Sequence, residues 1–197
     1  MGKSAEPNRR DDILKAARAV FKQSGYEKAH VEEIARRAGV AKGTVYLYFP
    51  SKWAILDALC DQYQEMMAEA IEPALKNPDS FLAIKDAMHA ALELASRERD
   101  LLKLLDLRLG LAGGGRAIEN PRGQELMRQF MHDRLIGGDI QDYDPVIASE
   151  LTSGFVQWIT KVCLLWKHVD VKLYEDIAVR MLQNALLNEN YFRGGKK

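Results

Sequence analysis

Apolar residues recur along this chain at three- and four-residue intervals almost throughout, and no stretch sustains the strict alternation of a strand. The pattern predicts an all-α protein of about nine helices. A first helix over about 9–23 carries Ile13, Ala17, Val20 and Phe21 on one stripe and stops at Gly25. A short second helix spans 31–38, with Ile34 and Ala35 inward. A third, about 42–49, must end there, because Pro50 disfavours helical backbone at the residue before it. The fourth, 52 to about 71, aligns Leu56, Leu59, Tyr63, Met66 and Ala70 before Pro73 and Pro78 break it. The fifth starts after Asp79 or Ser80 and turns Phe81, Ile84, Met88, Ala91 and Ala95 inward. The sixth covers about 100–111 and is closed by Gly113-Gly114-Gly115. The seventh, about 122–136, follows Pro121 and ends at Gly137-Gly138. Two long helices, about 144–167 and 172–188, complete the chain.

The densest local information lies in residues 39–52, Gly-Val-Ala-Lys-Gly-Thr-Val-Tyr-Leu-Tyr-Phe-Pro-Ser-Lys. They read as the turn and second helix of a helix-turn-helix. Gly39 supplies the left-handed residue that ends a helix tightly, and Val40 plugs the turn. Ser51 can cap the next helix. Lys42 and Lys52 bracket the short helix with positive charge, and Gly43 lets backbone approach a phosphate closely.

The 197 residues carry a formal net charge of zero, which alone argues against nucleic acid. The distribution reverses that inference. Residues 1–52 hold 11 Lys and Arg against 6 Asp and Glu, and the remaining residues hold 17 against 22. A basic head on an acidic body is the asymmetry expected when only the head meets phosphate. No leader is visible in the polar start, and the most apolar run, 155–166, is too short for a membrane span and contains Gln157, Thr160 and Lys161. Two cysteines, Cys60 and Cys163, cannot build a disulfide framework and read as reduced core residues. A cytoplasmic location and no membrane partner are expected.

This organisation resembles the TetR family of bacterial transcriptional regulators. The likeness is carried by Gly25-Tyr26, Ile34-Ala35, Ala38-Gly39-Val40, Lys42-Gly43-Thr44, Tyr46, Tyr48-Phe49 and Ser51-Lys52. It is strong over about 9–62; beyond that only helix number and length match. The resemblance implies an N-terminal three-helix head, residues 1–52, joined by a long helix to an all-helical body, residues 53–197. It implies a homodimer that binds palindromic double-stranded operator DNA and is released by a small-molecule effector, with coupling through the fourth helix. No cofactor is implied. Carried onto this chain, Lys42, Gly43, Thr44 and Tyr46 lie at the DNA face, with Tyr48 and Lys52 towards phosphates and His30 a further phosphate candidate. Ala41 and His30 stand where the family commonly places capping Ser and Thr. Helical geometry agrees, since Lys42 and Tyr46 are four apart, and Thr44 offers a hydroxyl to a base and a methyl to thymine.

In the body, the helix from about 144 puts Ile147, Leu151, Phe155, Trp158, Val162, Leu165 and Trp166 on one side, and Ser149, Ser153, Gln157 and Thr160 on the other. The second, charge-poor side suits a partner helix. With Ile177, Met181 and Ala185 of the last helix it is the expected dimer face, four helices meeting across a two-fold axis. Arg108 points among Leu101, Leu104, Leu105, Leu111 and Ala112. A cation there needs a partner, either a protein carboxylate or an anionic ligand, unless its stem snorkels to the edge. His89, Arg108, Met127, Phe130 and Trp158 are the candidate effector contacts, each with an ordinary core or rim role as the alternative.

Nothing points to catalysis. His30, His89, His132 and His168 lack metal-ligand spacing, and no P-loop or nucleophile elbow is present. The expected function is therefore a ligand-responsive repressor. A DNA-binding architectural protein without an effector and an enzyme without a signature are the alternatives. A large acidic body argues against the first, since it adds nothing to DNA coating.

Overall fold

Nine α-helices form among the described residues of the computed structural model, which are 8–111, 121–166 and 169–189. They are α1 Arg9–Ser24, α2 Val31–Ala38, α3 Lys42–Tyr48, α4 Lys52–Leu75, α5 Ser80–Arg97, α6 Arg99–Leu111, α7 Pro121–Ile136, α8 Pro145–Lys161 and α9 Val171–Leu186. A π-helical turn, Val162–Trp166, extends α8. The expected glycine stop at 113–115, Ala112, Lys167, His168 and the side chain of Trp166 lie outside the described residues. No helix among those described is long and apolar enough to cross a membrane.

The described chain divides into two compact units, 8–63 with 100–111, and 64–99 with 121–189. These boundaries differ from the division at residue 52, because α4 is shared by both units and most of α6 is counted with the first.

In the first unit, Ile13, Leu14, Ala17, Val20 and Phe21 of α1 are buried together with Ile34 and Ala35 of α2 and Val45 of α3. The turn between α2 and α3 closes as a Schellman motif: the Val40 amide donates to the Ala35 carbonyl at 3.0 Å and the Gly39 amide to Arg36 at 3.3 Å. Gly39 sits at φ 67°, ψ 32°, a backbone state that costs an L-residue about 1–2 kcal/mol. Phe49 leaves the helix in extended backbone ahead of Pro50, and the Ser51 hydroxyl accepts from the Ala54 amide at the start of α4. Neither Ala41 nor His30 caps its helix through a side chain.

Lys52 is a correction. Its ammonium donates to the carbonyls of Tyr26, Glu27 and Ala29 at 2.8, 3.1 and 3.2 Å and lies 4.5 Å from the Tyr26 ring centre. All three protons are taken by backbone, so Lys52 ties α4 to the α1–α2 connection and does not reach outward for phosphate. Tyr26 in turn meets the Phe21 ring edge-on at 5.4 Å. Of the two partners expected for Arg108, the structure places the carboxylate: it pairs with Asp57 at 2.6 Å and lines neither the cavity nor the groove of the second unit. On the same unit a bidentate pair joins Arg18 to Asp100 at 2.6 and 2.8 Å and holds the Asp100 carboxyl below its ordinary range. Cys60 is buried among these groups, and burial pushes its thiol up to about 12; both cysteines are free.

The second unit has its own core, with Leu75, Ile84, Met88, Leu92, Phe130, Met131, Ala178, Leu182 and Leu186 in one cluster. Helix α4 passes through Pro73 and ends at Leu75, because a proline in the last turn removes one amide donor without breaking the helical φ. Phe81, expected inward, is exposed; in the first turn of α5 its Cβ leans towards the helix start and past the core. Asp79, Asp144 and Asp170 cap α5, α8 and α9 through amides at Leu82, Val146 and Ile147, and Leu173.

The facing of α8 is the opposite of that expected. Ala148, Ser149, Thr152 and Thr160 are buried, while Ile147, Leu151 and Trp158 are exposed. The Ser149 and Thr160 hydroxyls donate to the Val146 and Val156 carbonyls of their own helix, both at 2.7 Å. Paired in this way, they enter the interior without a lost hydrogen bond. Ser149 is therefore removed from any outer face.

Two stability outcomes follow. Gly39→Ala should lower the unfolding free energy by about 1–2 kcal/mol, whereas Gly43→Ala, with no positive φ and nothing within 4 Å of its Cβ, should leave it unchanged or raise it by up to about 1 kcal/mol; urea denaturation distinguishes the two. Lys52→Met should cost about 2 kcal/mol through the three charge-assisted bonds, seen as a lower thermal midpoint, while leaving the salt dependence of DNA binding unchanged.

Candidate DNA-binding face and effector cavity

Helix α3 has seven residues and one inward side chain, Val45, with Phe49 buried just past its end. That leaves most of its surface outside. Lys42, Gly43, Tyr46, Leu47 and Tyr48 are exposed, Thr44 is half-buried, and His30 is exposed at the start of α2. Helical phase puts Lys42, Gly43, Tyr46 and Leu47 on one side. The structure thus brings together all the expected DNA-face residues except Lys52. It adds Leu47, which is 85% exposed. The signal for it was present in the spacing, since Val45 and Phe49 already occupy the inward positions and an apolar residue between them has no core to enter.

A second residue was not foreseen. Glu32 on α2 pairs with the Lys42 ammonium, which also lies 5.9 Å from the Tyr46 ring centre. The bond holds the Glu32 carboxyl below its ordinary range and raises Lys42. Both groups are exposed, so the pair is readily exchanged, and a phosphate arriving at Lys42 displaces a carboxylate. Arg36 is likewise bonded to Glu33 at 2.6 and 2.8 Å.

In the second unit a cavity of about 120 Å3 is lined from α4, α5, α7, α8 and α9. Met127 and Phe130 line it as expected. His89, Arg108 and Trp158 do not. His89 is exposed on α5 and hydrogen-bonded to Glu175 at 2.9 Å, and Trp158 is exposed on α8. Ser153 and Gln157, expected at the dimer face, border this cavity instead. Its other walls include Met67, Met88 and Met131, flexible side chains that adapt to an occupant. Outside it, Ile147, Leu151 and Trp158 of α8 and Leu173, Ile177 and Met181 of α9 are all exposed, Leu151 at 70%. Ala185 is exposed beside them and, with Ile147, Leu151, Phe155 and Met181, lines an open apolar groove of about 630 Å3. No cluster of three metal-ligating side chains exists among the described residues.

Residues 13–59 match the family model described as bacterial regulatory proteins, tetR family. The HTH-type transcriptional repressor KstR of Rhodococcus jostii is 28% identical over 172 residues, covering 82% of this chain and 77% of that protein. The HTH-type transcriptional regulator YvdT of Bacillus subtilis is 30% identical over 95 residues, and the chain spans about half of its length, 49%. Among solved structures, FadR from Bacillus subtilis in complex with stearoyl-CoA superposes with a TM-score of 0.72 at 22% identity, over 87% of this chain and 96% of that one; at that identity it speaks for the fold. The helix-turn-helix head, residues 13–59, thus belongs to the tetR family of bacterial regulatory proteins, and relatives aligned along most of the chain's length are HTH-type transcriptional repressors.

Proposed function

We propose that this protein is a repressor that binds a palindromic operator as a homodimer and leaves it when a small molecule occupies the cavity of the second unit. The observation that carries the DNA half is the exposed face of α3: a lysine, a glycine, a threonine and two tyrosines held on a Schellman turn, with one buried residue beneath. A helix start of this kind enters the major groove, where Thr44 and Leu47 offer methyl groups to thymine and Lys42 reaches guanine or phosphate. His30, Gly43 and Tyr48 lie beside it for backbone contact. The functional division follows the head, residues 1–52, and the body, residues 53–197.

The homodimer reading rests on the seven large apolar side chains of α8 and α9 left outside, Val146 among them. A patch of this kind on a two-helix face is self-complementary across a two-fold axis and forms a four-helix arrangement with its copy. Ile177, Met181 and Ala185 belong to that face. Ile147, Leu151 and Trp158 take the place expected of Ser149, Ser153 and Gln157.

The effector reading is supported by the cavity and by the likeness in fold to a regulator solved with a small molecule bound, FadR in complex with stearoyl-CoA. The effector must bind the DNA-incompetent arrangement better than the competent one, and α4, shared by both units, is the element that carries the difference.

Selection from random duplexes should enrich a palindrome, and binding to it should weaken steeply with salt. Lys42→Ala should lower the slope of log affinity against log salt by about one, and Glu32→Gln should tighten binding to all sequences. Equal binding to every duplex would sink the repressor reading. Separately, Leu151→Asp should convert the protein to a monomer in sedimentation equilibrium while leaving its helical content intact, since a carboxylate in an apolar interface finds no partner; a monomeric wild type at micromolar concentration would refute the dimer.

A further inference from the structure

The effector cavity is graded from mouth to floor. Gln124 on α7 and Gln157 on α8 line it and are exposed, so they stand at its opening, and Ser153 lies one turn from Gln157. The floor is Met88, Ala91, Phe130, Met131 and Leu186, all buried, with Met131 at 0% exposure. None of its lining residues among those described is charged. Polar groups are limited to the two carboxamides, the Ser153 and Thr152 hydroxyls and main chain.

The nearest cation in sequence, Arg122, is already engaged. It bonds Glu65 and, at 2.6 Å, Glu72, and lies 3.8 Å from Glu69, three carboxylates spaced along α4. Lys76 takes Glu72 from the other side at 2.7 Å. Two cations face three carboxylates beside the opening, so an anion arriving there gains no free partner and meets excess negative charge. Inside, a carboxylate would be buried unpaired.

Size adds a bound. A dry cavity of ~150 Å3 accepts benzene, so the smaller 120 Å3 here holds an apolar group of about five or six carbons once the methionines adjust. Resting on the repressor reading, we infer that the effector is uncharged and compact: an apolar chain or ring of that size bearing one neutral hydrogen-bonding group, a ketone, alcohol, ester or lactone, held by Gln124 and Gln157. Carboxylates and acyl-coenzyme A thioesters are excluded by the same chemistry.

The test uses the full chain and three probes that share a seven-carbon chain: 2-heptanone, heptanoate and heptanoyl-coenzyme A. Binding is read by calorimetry and by the shift of the thermal midpoint. The expected result is that 2-heptanone binds roughly tenfold or more tighter than either anion, since heptanoate buries an unpaired charge and the coenzyme A phosphates meet the carboxylates of α4 at the opening. Ala91→Leu, which fills the floor, should abolish binding. Gln157→Leu, a mouth substitution at an exposed position that the fold tolerates, should weaken 2-heptanone about fivefold, the share of one hydrogen bond. Either anion binding as tightly as the ketone overturns the inference, and so does the absence of any shift with all three. Operator affinity measured on the same samples separates the two readings. Loss of specific operator binding refutes the repressor, and ketone binding without release of a bound operator refutes the coupling; neither result alters the measured order of the ligands.

Discussion

A hydroxyl carried into an apolar interior costs more than a methyl group gains there unless it keeps a hydrogen bond. Helix α8 meets that condition within itself. Ser149 and Thr160 return their protons to carbonyls three and four residues back, so the small-residue side of the helix is free to turn inward. Small side chains allow close approach to the neighbouring helices, and the bulky Ile147, Leu151 and Trp158 are left outside. The rest of the body follows from this facing. With Ser153 and Thr152 inward, space remains between α8 and the methionines of α4, α5 and α7, and that space is the cavity. With the large residues outward, α8 and α9 present one apolar surface. Had α8 faced the other way, its indole and branched side chains would fill the cavity and the outer face would be polar.

In the first unit the governing contacts are short-range and directional. Gly39 sets the angle between α2 and α3 by adopting a backbone state that other residues resist. Lys52 then fixes the start of α4 against three carbonyls that no helix satisfies. Between them α3 is held by few side chains of its own, Val45 and Phe49, which is why nearly everything else on it faces outward. The outward face is not simply positive. Glu32 shares Lys42, and Glu33 shares Arg36. Exposed pairs of this kind contribute little to stability, and each weakens the pull of its cation on any passing phosphate.

The head was legible in the sequence because its determinants are local. A glycine before an apolar plug, a proline that ends a helix and a serine three residues before an amide that needs a partner can each be read within a few positions. The α3 face could be read for the same reason. Lys52 could not, because its partners lie 23 to 26 residues away, and a lysine after a short helix looks alike whether it reaches out or back. Arg108 shows the same limit: its need for a partner was plain from its leucine neighbours, but Asp57 is brought to it only by tertiary packing. Helix α8 failed for a different cause. Periodicity reports that a helix has two unlike sides, and polarity decides which goes in only when hydroxyls lack partners. Ser and Thr at the right spacing have them on their own helix, so polarity carried no information there.

The same bookkeeping of partners bears on what can act on the body. Cations near the cavity are spent: Arg122 on α4 carboxylates, Arg134 on the carbonyls of Asn77 and Pro78. A protein that receives an anionic ligand in an apolar site must keep a cation uncommitted or release one on binding, and releasing Arg122 would take the cation from Glu65 and Glu69 on one face of α4 at a cost set against the ligand's affinity. A neutral ligand requires no such exchange. It need only widen the cavity between α4 and α7 and satisfy the carboxamides at the mouth. Because α4 continues from the cavity wall at Met67 and Ile71 back to the helix start pinned by Lys52, a displacement that relieves strain in one place acts on an element whose other end is fixed by hydrogen bonds. On the proposed reading, a ligand acts through this helix only by its differential affinity for the two states.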